Sequence, residues 1–170
     1  MPTMDKIIEF LDESNKIEGV YDADSLKQAE FAWEYLVKQK ELTVSVVLKT
    51  HKILMLHQNI RPDQKGYFRK EEVRIGWKFG LSYSKIPEAI TSWVKDVATS
   101  IRVPGKDGKH IKLDHVEYER IHPFIDGNGR TGRMFMNWAR IKAGLPILII
   151  KADWPVDPGE QRSYYQWFNN

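Results

Sequence analysis

The sequence predicts an all-α domain, a compact helical bundle carrying one small β-hairpin. Apolar residues recur at helical spacing through most of the chain, and Gly, Pro and capping residues separate the periodic segments. Only the stretch around Val73 and Ile75 alternates as a strand does. With 170 residues, 42% of them hydrophobic, and six tryptophans, residues 1–170 make one domain that buries roughly two-thirds of its unfolded surface. No internal repeat, low-complexity tract or linker divides it.

Taken in order, residues 3–17 place Ile7, Ile8, Phe10, Leu11 and Ile17 among charges, an amphipathic helix that Gly19 stops. Asp24 opens a second helix with Leu26, Ala29, Phe31, Trp33, Tyr35, Leu36 and Val37 on a broad apolar surface. Thr43 caps a third, reaching about His57, so rich in Val, Leu and Ile that a central position is expected. Residues 59–81 change character: Pro62, Gly66, Gly76 and Gly80 punctuate a short hairpin in which Glu72 and Arg74 alternate with Val73 and Ile75. Pro87 begins a helix to about Ile101, followed by a Gly-rich turn over 104–109. Residues 111–121 carry Asp114, His115, Glu117, Glu119 and Arg120, too many ionisable groups for a buried strand, so a helix is expected. Another helix buries Met134, Phe135, Trp138 and Ile141 until Gly144 and Pro146 end it. The apolar run 145–150 leads to Asp157-Pro158-Gly159-Glu160, a capping start for a last helix.

Composition narrows the function. Without cysteine there is no disulfide framework, thiolate zinc site or cysteine nucleophile, which suits a reducing compartment, and the cytoplasm is the expected location. The formal charge of +3 is mild, and basic residues are mixed with acids, as in Arg69-Lys70-Glu71-Glu72, so a nucleic-acid partner is not expected. Nor is a membrane partner, since no stretch approaches the ~20 apolar residues of a span.

The chemistry concentrates in His122-Pro123-Phe124-Ile125-Asp126-Gly127-Asn128-Gly129-Arg130-Thr131-Gly132-Arg133. Pro123 disfavours helical geometry in the residue before it and ends the incoming helix, so His122 sits at a corner. Gly127 and Gly129 permit backbone angles that turn main-chain N–H groups inward, and a helix then begins. Its unpaired N–H groups and positive dipole end form a seat for a polyphosphate. Arg130 and Arg133 oppose that dipole and call for an anion beside them. His122, with an ordinary pKa of ~6.5, is fit to take a proton from a hydroxyl, and Asp126 is fit either to cap the helix or to hold Mg²⁺ together with phosphate oxygens.

Other patterns fall away. Gly127 to Gly132 has the G-x-G-x-x-G spacing of dinucleotide folds, with Asp153 as a ribose partner, but that fingerprint needs a buried strand before it and here a charged helix precedes. No Gly-Lys-Ser/Thr follows, so the phosphate loop of P-loop enzymes is absent. Glu119 and His122 with His115 have the spacing of a carboxylate-bridged metal site, yet a second Glu-x-x-His is missing and Pro123 turns His122 away. His51 and His57, like His110 and His115, are spaced so that neither pair faces one ligand, and these histidines read as structural or solvent-facing.

The stretch HPFIDGNGRTGR resembles the signature of the Fic (filamentation induced by cAMP) domain family, His-x-Phe-x-Asp/Glu-Gly-Asn-Gly/Lys-Arg-x-x-Arg, at every fixed position. That resemblance implies the Fic fold, with the signature loop at 122–133, and transfer of AMP from ATP to a hydroxyl side chain of a target protein. It makes His122 the general base and Asp126 the Mg²⁺ ligand. Gly127, Asn128 and Gly129 become an anion hole, Arg130 and Arg133 grip the β- and γ-phosphates, and Thr131 and Gly132 complete the nucleotide-binding stretch. Gly66-Tyr67-Phe68-Arg69 followed by Val73-Arg74-Ile75-Gly76 resembles the family's flap, expected over 66–80, which covers the nucleotide and holds the target. Tyr164 and Tyr165 resemble its adenine-side aromatics. Ser14-Asn15-Lys16-Ile17-Glu18-Gly19 resembles the inhibitory motif Ser/Thr-x-x-x-Glu-Gly/Asn of the class with an amino-terminal inhibitory helix, here 1–19. By that likeness Ser14, Glu18 and Gly19 restrain the enzyme, with Glu18 on Arg133. Glu18 also stands at a predicted helix end, where the dipole disfavours an acid and a cationic partner is welcome. Removal of AMP, another nucleotide donor, and a non-catalytic nucleotide-sensing module stay open, as do self-modification and a homo-oligomer.

Overall fold

The computed structural model describes residues 1–152 and 160–169. Among these, seven α-helices follow one another: α1 (Met4–Ile17), α2 (Ala23–Val37), α3 (Val44–Leu54), α4 (Ile86–Arg102), α5 (Lys109–Ile121), α6 (Asn128–Lys142) and α7 (Glu160–Gln166). One antiparallel hairpin, β1 (Arg74–Ile75) with β2 (Lys78–Phe79), pairs Arg74 with Phe79 and Ile75 with Lys78. No helix among the described residues is long and apolar enough to cross a membrane. The 157–160 capping start and Asp153 lie wholly or largely outside the described residues.

Local chemistry sets the helix starts. Thr3, Asp22 and Thr43 each stand in extended geometry before α1, α2 and α3 and accept a main-chain N–H with their side chains. Asp22, not Asp24, is therefore the cap of α2, and its carboxylate takes Ser25 N at 2.8 Å. Pro87 sits in the first turn of α4, where its missing N–H costs nothing. The end of α1 is a Schellman turn: Gly19, at φ +70°, donates to Lys16 O, and Val20 donates to Asn15 O. Glu18 is thereby locked as the C-cap of α1.

The central helix is α6, not α3 as its composition suggests. α6 packs on all of α1 to α5, and from Asn128 to Ala139 every residue except Gly129 is buried. Its burial is all round, not confined to the one face marked by Met134, Phe135, Trp138 and Ile141. Trp93 of α4, Tyr118 of α5 and Phe135 of α6 form one aromatic cluster beside it, with ring centroids 4.9–5.8 Å apart. α1 closes the other side through Phe10, Leu11 and Ile17, Phe10 meeting Trp33 edge-on at 5.4 Å.

At Gly132 α6 lies close against α5. A Cβ there would stand 2.9 Å from the Tyr118 ring, 3.0 Å from His115 and 2.7 Å from Glu119 Oε1. Gly132→Ala is accordingly expected to destabilise the fold by ~1–3 kcal/mol through overpacking, read as a lowered midpoint in denaturant unfolding.

The hairpin is shorter than the 66–80 span suggests. Residues 66–72 form no ladder; Gly66 is drawn instead to His51 of α3 and Arg69 to the loop after α5, and only the tip projects, with Trp77 83% exposed.

Candidate active site

His122 ends α5 in the left-handed region, at φ 50° and ψ 62°, outside the helical geometry that Pro123 disfavours. Burial holds its imidazole below the ordinary pKa, opposed by the Glu119 carbonyl and joined by the nearby Arg69 charge. At neutral pH the ring is therefore uncharged and able to accept a proton.

The loop that follows is held from within and from outside. Asn128 spends its side chain on Phe124, accepting from its N–H and donating to its carbonyl, both at 2.9 Å. His51, fully buried on α3, stacks on Phe124 with ring centroids 3.6 Å apart. Its Nδ1 accepts from Gly66 N at 2.9 Å, so Nε2 carries the proton and donates to Asp126 O, also at 2.9 Å. Burial pushes its pKa down to about 4, which keeps this tautomer neutral. His51 is thus structural, as its spacing suggested, but the structure it supports is the site.

Gly127 stands at φ +81° before α6, where a Cβ would strike Met55 Sδ at 2.9 Å. Thr131 makes the first intrahelical bond, to Gly127 O, so the N–H groups of Asn128, Gly129 and Arg130 precede the ladder. Gly129 serves differently from expectation: it lies inside the helix, and what it supplies is space. A Cβ there would sit 2.0 Å from Glu18 Oε1 and 3.0 Å from Arg133 Nη1. Only glycine lets an anion come down on this turn.

The two arginines differ. Arg133 is engaged at every nitrogen: Nε donates to Ser14 Oγ at 2.8 Å, Nη1 to Tyr164 OH at 3.1 Å, and Nη2 to Ser14 O at 2.9 Å and Glu18 Oε1 at 2.7 Å. Burial works against its charge, but Tyr164, Glu18 and Glu119 outweigh that and raise its pKa. Arg130 is equally buried, yet its Nε and Nη1 have no hydrogen-bond partner, and its nearest carboxylate, Asp126 Oδ2, is 3.6 Å away. Burial lowers its pKa, against Asp126 and Glu18. A buried guanidinium with two unused donors marks a place for a multivalent anion.

Asp126 is exposed, with Oδ1 accepting from Gly127 N at 2.6 Å. No group of three or more His, Cys, Asp or Glu residues could hold a metal among the described residues. A cation at Asp126 would take its remaining ligands from phosphate and water, which is how Mg²⁺ binds.

Two members of the signature stretch do other work than contacting a ligand with their side chains. Thr131 Oγ1 is spent on Gly127 O at 2.9 Å and on Tyr118 OH at 2.8 Å, and Gly132 faces α5. Tyr164 is buried, its hydroxyl shared between Arg133 and His115 Nε2, while Tyr165 is 48% exposed. Val73, Arg74, Ile75 and Gly76 make no hydrogen bond to the loop among the described residues; the hairpin reaches it through Arg69.

Sequence reasoning weighed Glu119 only as part of a metal-site spacing, which fell away, and gave it no other role. Its Oε1 is sealed from solvent without a hydrogen-bond partner, and burial lifts its pKa to about 7, with Arg133 opposing and Glu18 adding. A raised carboxyl pKa means the unfolded chain releases its proton first, so this stability is full below about 4.5 and is lost as pH rises through about 7. Glu119→Gln is expected to gain ~3 kcal/mol over the parent between pH 5 and 8, at about 1.4 kcal/mol per unit, measured by urea unfolding at the two pH values.

A neutral histidine at a left-handed corner, an exposed carboxylate, an open helix amino terminus and buried guanidinium groups stand together on a helical bundle, an arrangement suited to phosphate. The profile of the Fic/DOC family matches residues 41–139, more than half the chain, and the chain belongs to that family. It is 32% identical over 161 residues to the protein adenylyltransferase Fic of Drosophila erecta, covering 93% of this chain and 29% of the relative. With the Drosophila melanogaster protein of the same name the identity is 30% over the same shares. The chain thus spans under a third of the length of these curated relatives. Among solved structures, a Fic domain containing signaling protein from Bacteroides thetaiotaomicron superposes with a TM-score of 0.72 at 20% identity, over 95% of this chain and 69% of the other. A Fic family protein from Desulfovibrio desulfuricans G20 gives 0.67 at 18% identity, over 95% and 54%. These likenesses establish the mostly helical Fic fold.

Proposed function

We propose that this chain transfers AMP from ATP to a hydroxyl side chain of a target protein, and that Glu18 restrains the reaction. The carrying observation is the pair of unused donor nitrogens on buried Arg130 in the first turn of α6, at the end of the loop that a neutral His122 begins. The names of the Drosophila relatives support the same reading. In the reaction His122 accepts the proton of the target Ser, Thr or Tyr hydroxyl, whose oxygen bonds to the α-phosphorus. The bond from that phosphorus to the bridging oxygen breaks, and pyrophosphate leaves. Arg130 and the first-turn N–H groups of α6 take the phosphate charge, and Asp126 would hold Mg²⁺. That ion supplies further neutralisation of the phosphates. Positioning and charge neutralisation are the main needs of such chemistry, and this site offers both.

Restraint follows from the contact on Arg133. The carboxylate of Glu18 fills the space over Gly129 and takes the donor a terminal phosphate needs, so ATP is held out of line for attack. ATP as donor and a chain without cysteine both suit the cytoplasm, where we place it.

The test is labelling with ATP tagged on its α-phosphate beside ATP tagged on its γ-phosphate, using self-modification as readout. Label from the α position alone supports AMP transfer. Label from the γ position alone identifies phosphate transfer instead, and label from both positions the whole nucleotide. No label despite measurable ATP binding favours a sensing module or another donor.

A further inference from the structure

Arg69 is 3% exposed, and all its hydrogen bonds go to main-chain carbonyls. Three belong to the corner that carries His122: Arg69 N donates to Pro123 O at 2.9 Å, Nε to His122 O at 2.7 Å, and Nη2 to Ile121 O at 3.3 Å. The other two flank the hairpin: Nη1 donates to Glu71 O at 2.8 Å, ahead of β1, and Nη2 to Leu81 O, beyond β2. Among the described residues it makes no ion pair; its buried charge rests on carbonyl dipoles, with the Glu72 carboxylate helping only from beyond ion-pair distance.

Such a residue is costly as a mere staple. Two neutral side chains would bond the same carbonyls without burying a charge. What the guanidinium adds is a rigid fork and a permanent positive charge, and two of its four bonds go to the peptides on either side of one residue. That residue is His122, a non-glycine held at φ 50°, a conformation that persists only where its surroundings over-determine it. Bonds to the carbonyls of residues 121, 122 and 123 fix the peptide planes on both sides of its Cα, and therefore the direction of its Cβ.

We propose that Arg69 is a positioning residue that ties the hairpin to His122, so that the seat of the flap and the aim of the base are set by one side chain. This rests on His122 being the base. The charged groups facing the His122 ring are Arg69 from the hairpin base, Glu18 from α1 and Asp126 from the loop, with the Glu119 carbonyl from α5. Arg69 is the cation in that set and favours the neutral ring.

The experiment compares Arg69→Lys and Arg69→Gln, each in the Glu18→Gly protein, with three readouts. They are the NMR titration of the His122 imidazole without nucleotide, kcat and KM for ATP, and ATP binding by calorimetry. Both variants are expected to lose ~10- to 100-fold in kcat, the scale of an ångström's misplacement, with KM for ATP and ATP affinity within about twofold of the parent. The His122 midpoint is expected to rise in Arg69→Gln, which removes a charge, and to stay closer to the parent in Arg69→Lys, which keeps it. A folded variant of either kind with kcat and midpoint unchanged overturns the proposal. So does a parallel loss of ATP binding, or failure of both variants to fold, since Arg69 is then a structural residue only. If the midpoint follows Arg69 while labelling is indifferent to His122→Ala, the coupling stands and the base assignment fails.

Discussion

Glu18→Gly is expected to label about 100-fold faster than the parent and to bind ATP more tightly. The size follows from alignment: a misplacement of about 1 Å at a reacting centre costs ~100-fold, and the Glu18 carboxylate occupies both the donor on Arg133 and the space above Gly129. Its removal leaves Arg133 oriented, because Ser14 Oγ and Ser14 O still hold two of its nitrogens. The fold should hardly notice, since Glu18 lies at the end of α1 and is 38% exposed. Initial rates with α-tagged ATP and a calorimetric titration decide the matter. Equal rates and equal affinities in the two proteins would rule out restraint by Glu18.

His122→Ala in the same background is expected to lose 10²- to 10⁴-fold in rate, the typical contribution of a positioned base, while ATP binding survives. The side chain holds no phosphate in this reading, so affinity and rate should separate. The pH profile carries a second signature. A base works deprotonated, and burial sets the His122 pKa below the usual ~6.5, so activity should climb through the acid range and be flat by neutrality. A limb that rises well above pH 7 would assign the proton acceptor elsewhere.

How much of this was legible depended on range along the chain. The signature loop, the Thr43 cap, the stop at Gly19 and the helical reading of α5 follow from neighbouring residues, and local chemistry decides them. The contact of Glu18 with Arg133 spans 115 residues, yet it was foreseen, because a motif and a misplaced acid at a helix end pointed to a cation. His51 had no such mark. Its partner Asp126 lies 75 residues away, and one buried histidine looks like any other in a periodic helix. Arg69 sat in a run of mixed charges that reads as a solvated surface. The same bias misplaced the centre of the molecule: α6 begins with Asn128, Arg130, Thr131 and Arg133, polar residues that count against burial in any periodicity. They are buried because each has a partner or a task at the site. The hairpin was overdrawn for the converse reason, since residues 66–69 look extended by composition but are claimed by His51 and by the corner at His122.

The docking of α1 on α6 has one more consequence. α6 is enclosed by five other helices and should exchange its amide hydrogens only when the whole domain opens, whereas α1 is a peripheral helix whose local detachment costs less. Detachment carries Ser14 and Glu18 away from Arg133 together. Restraint and catalyst therefore occupy different rungs of one ladder of native-state fluctuations. Mild heat, dilute denaturant or a partner that peels off the first helix should raise the rate before it harms the fold, giving activation a window below the unfolding transition.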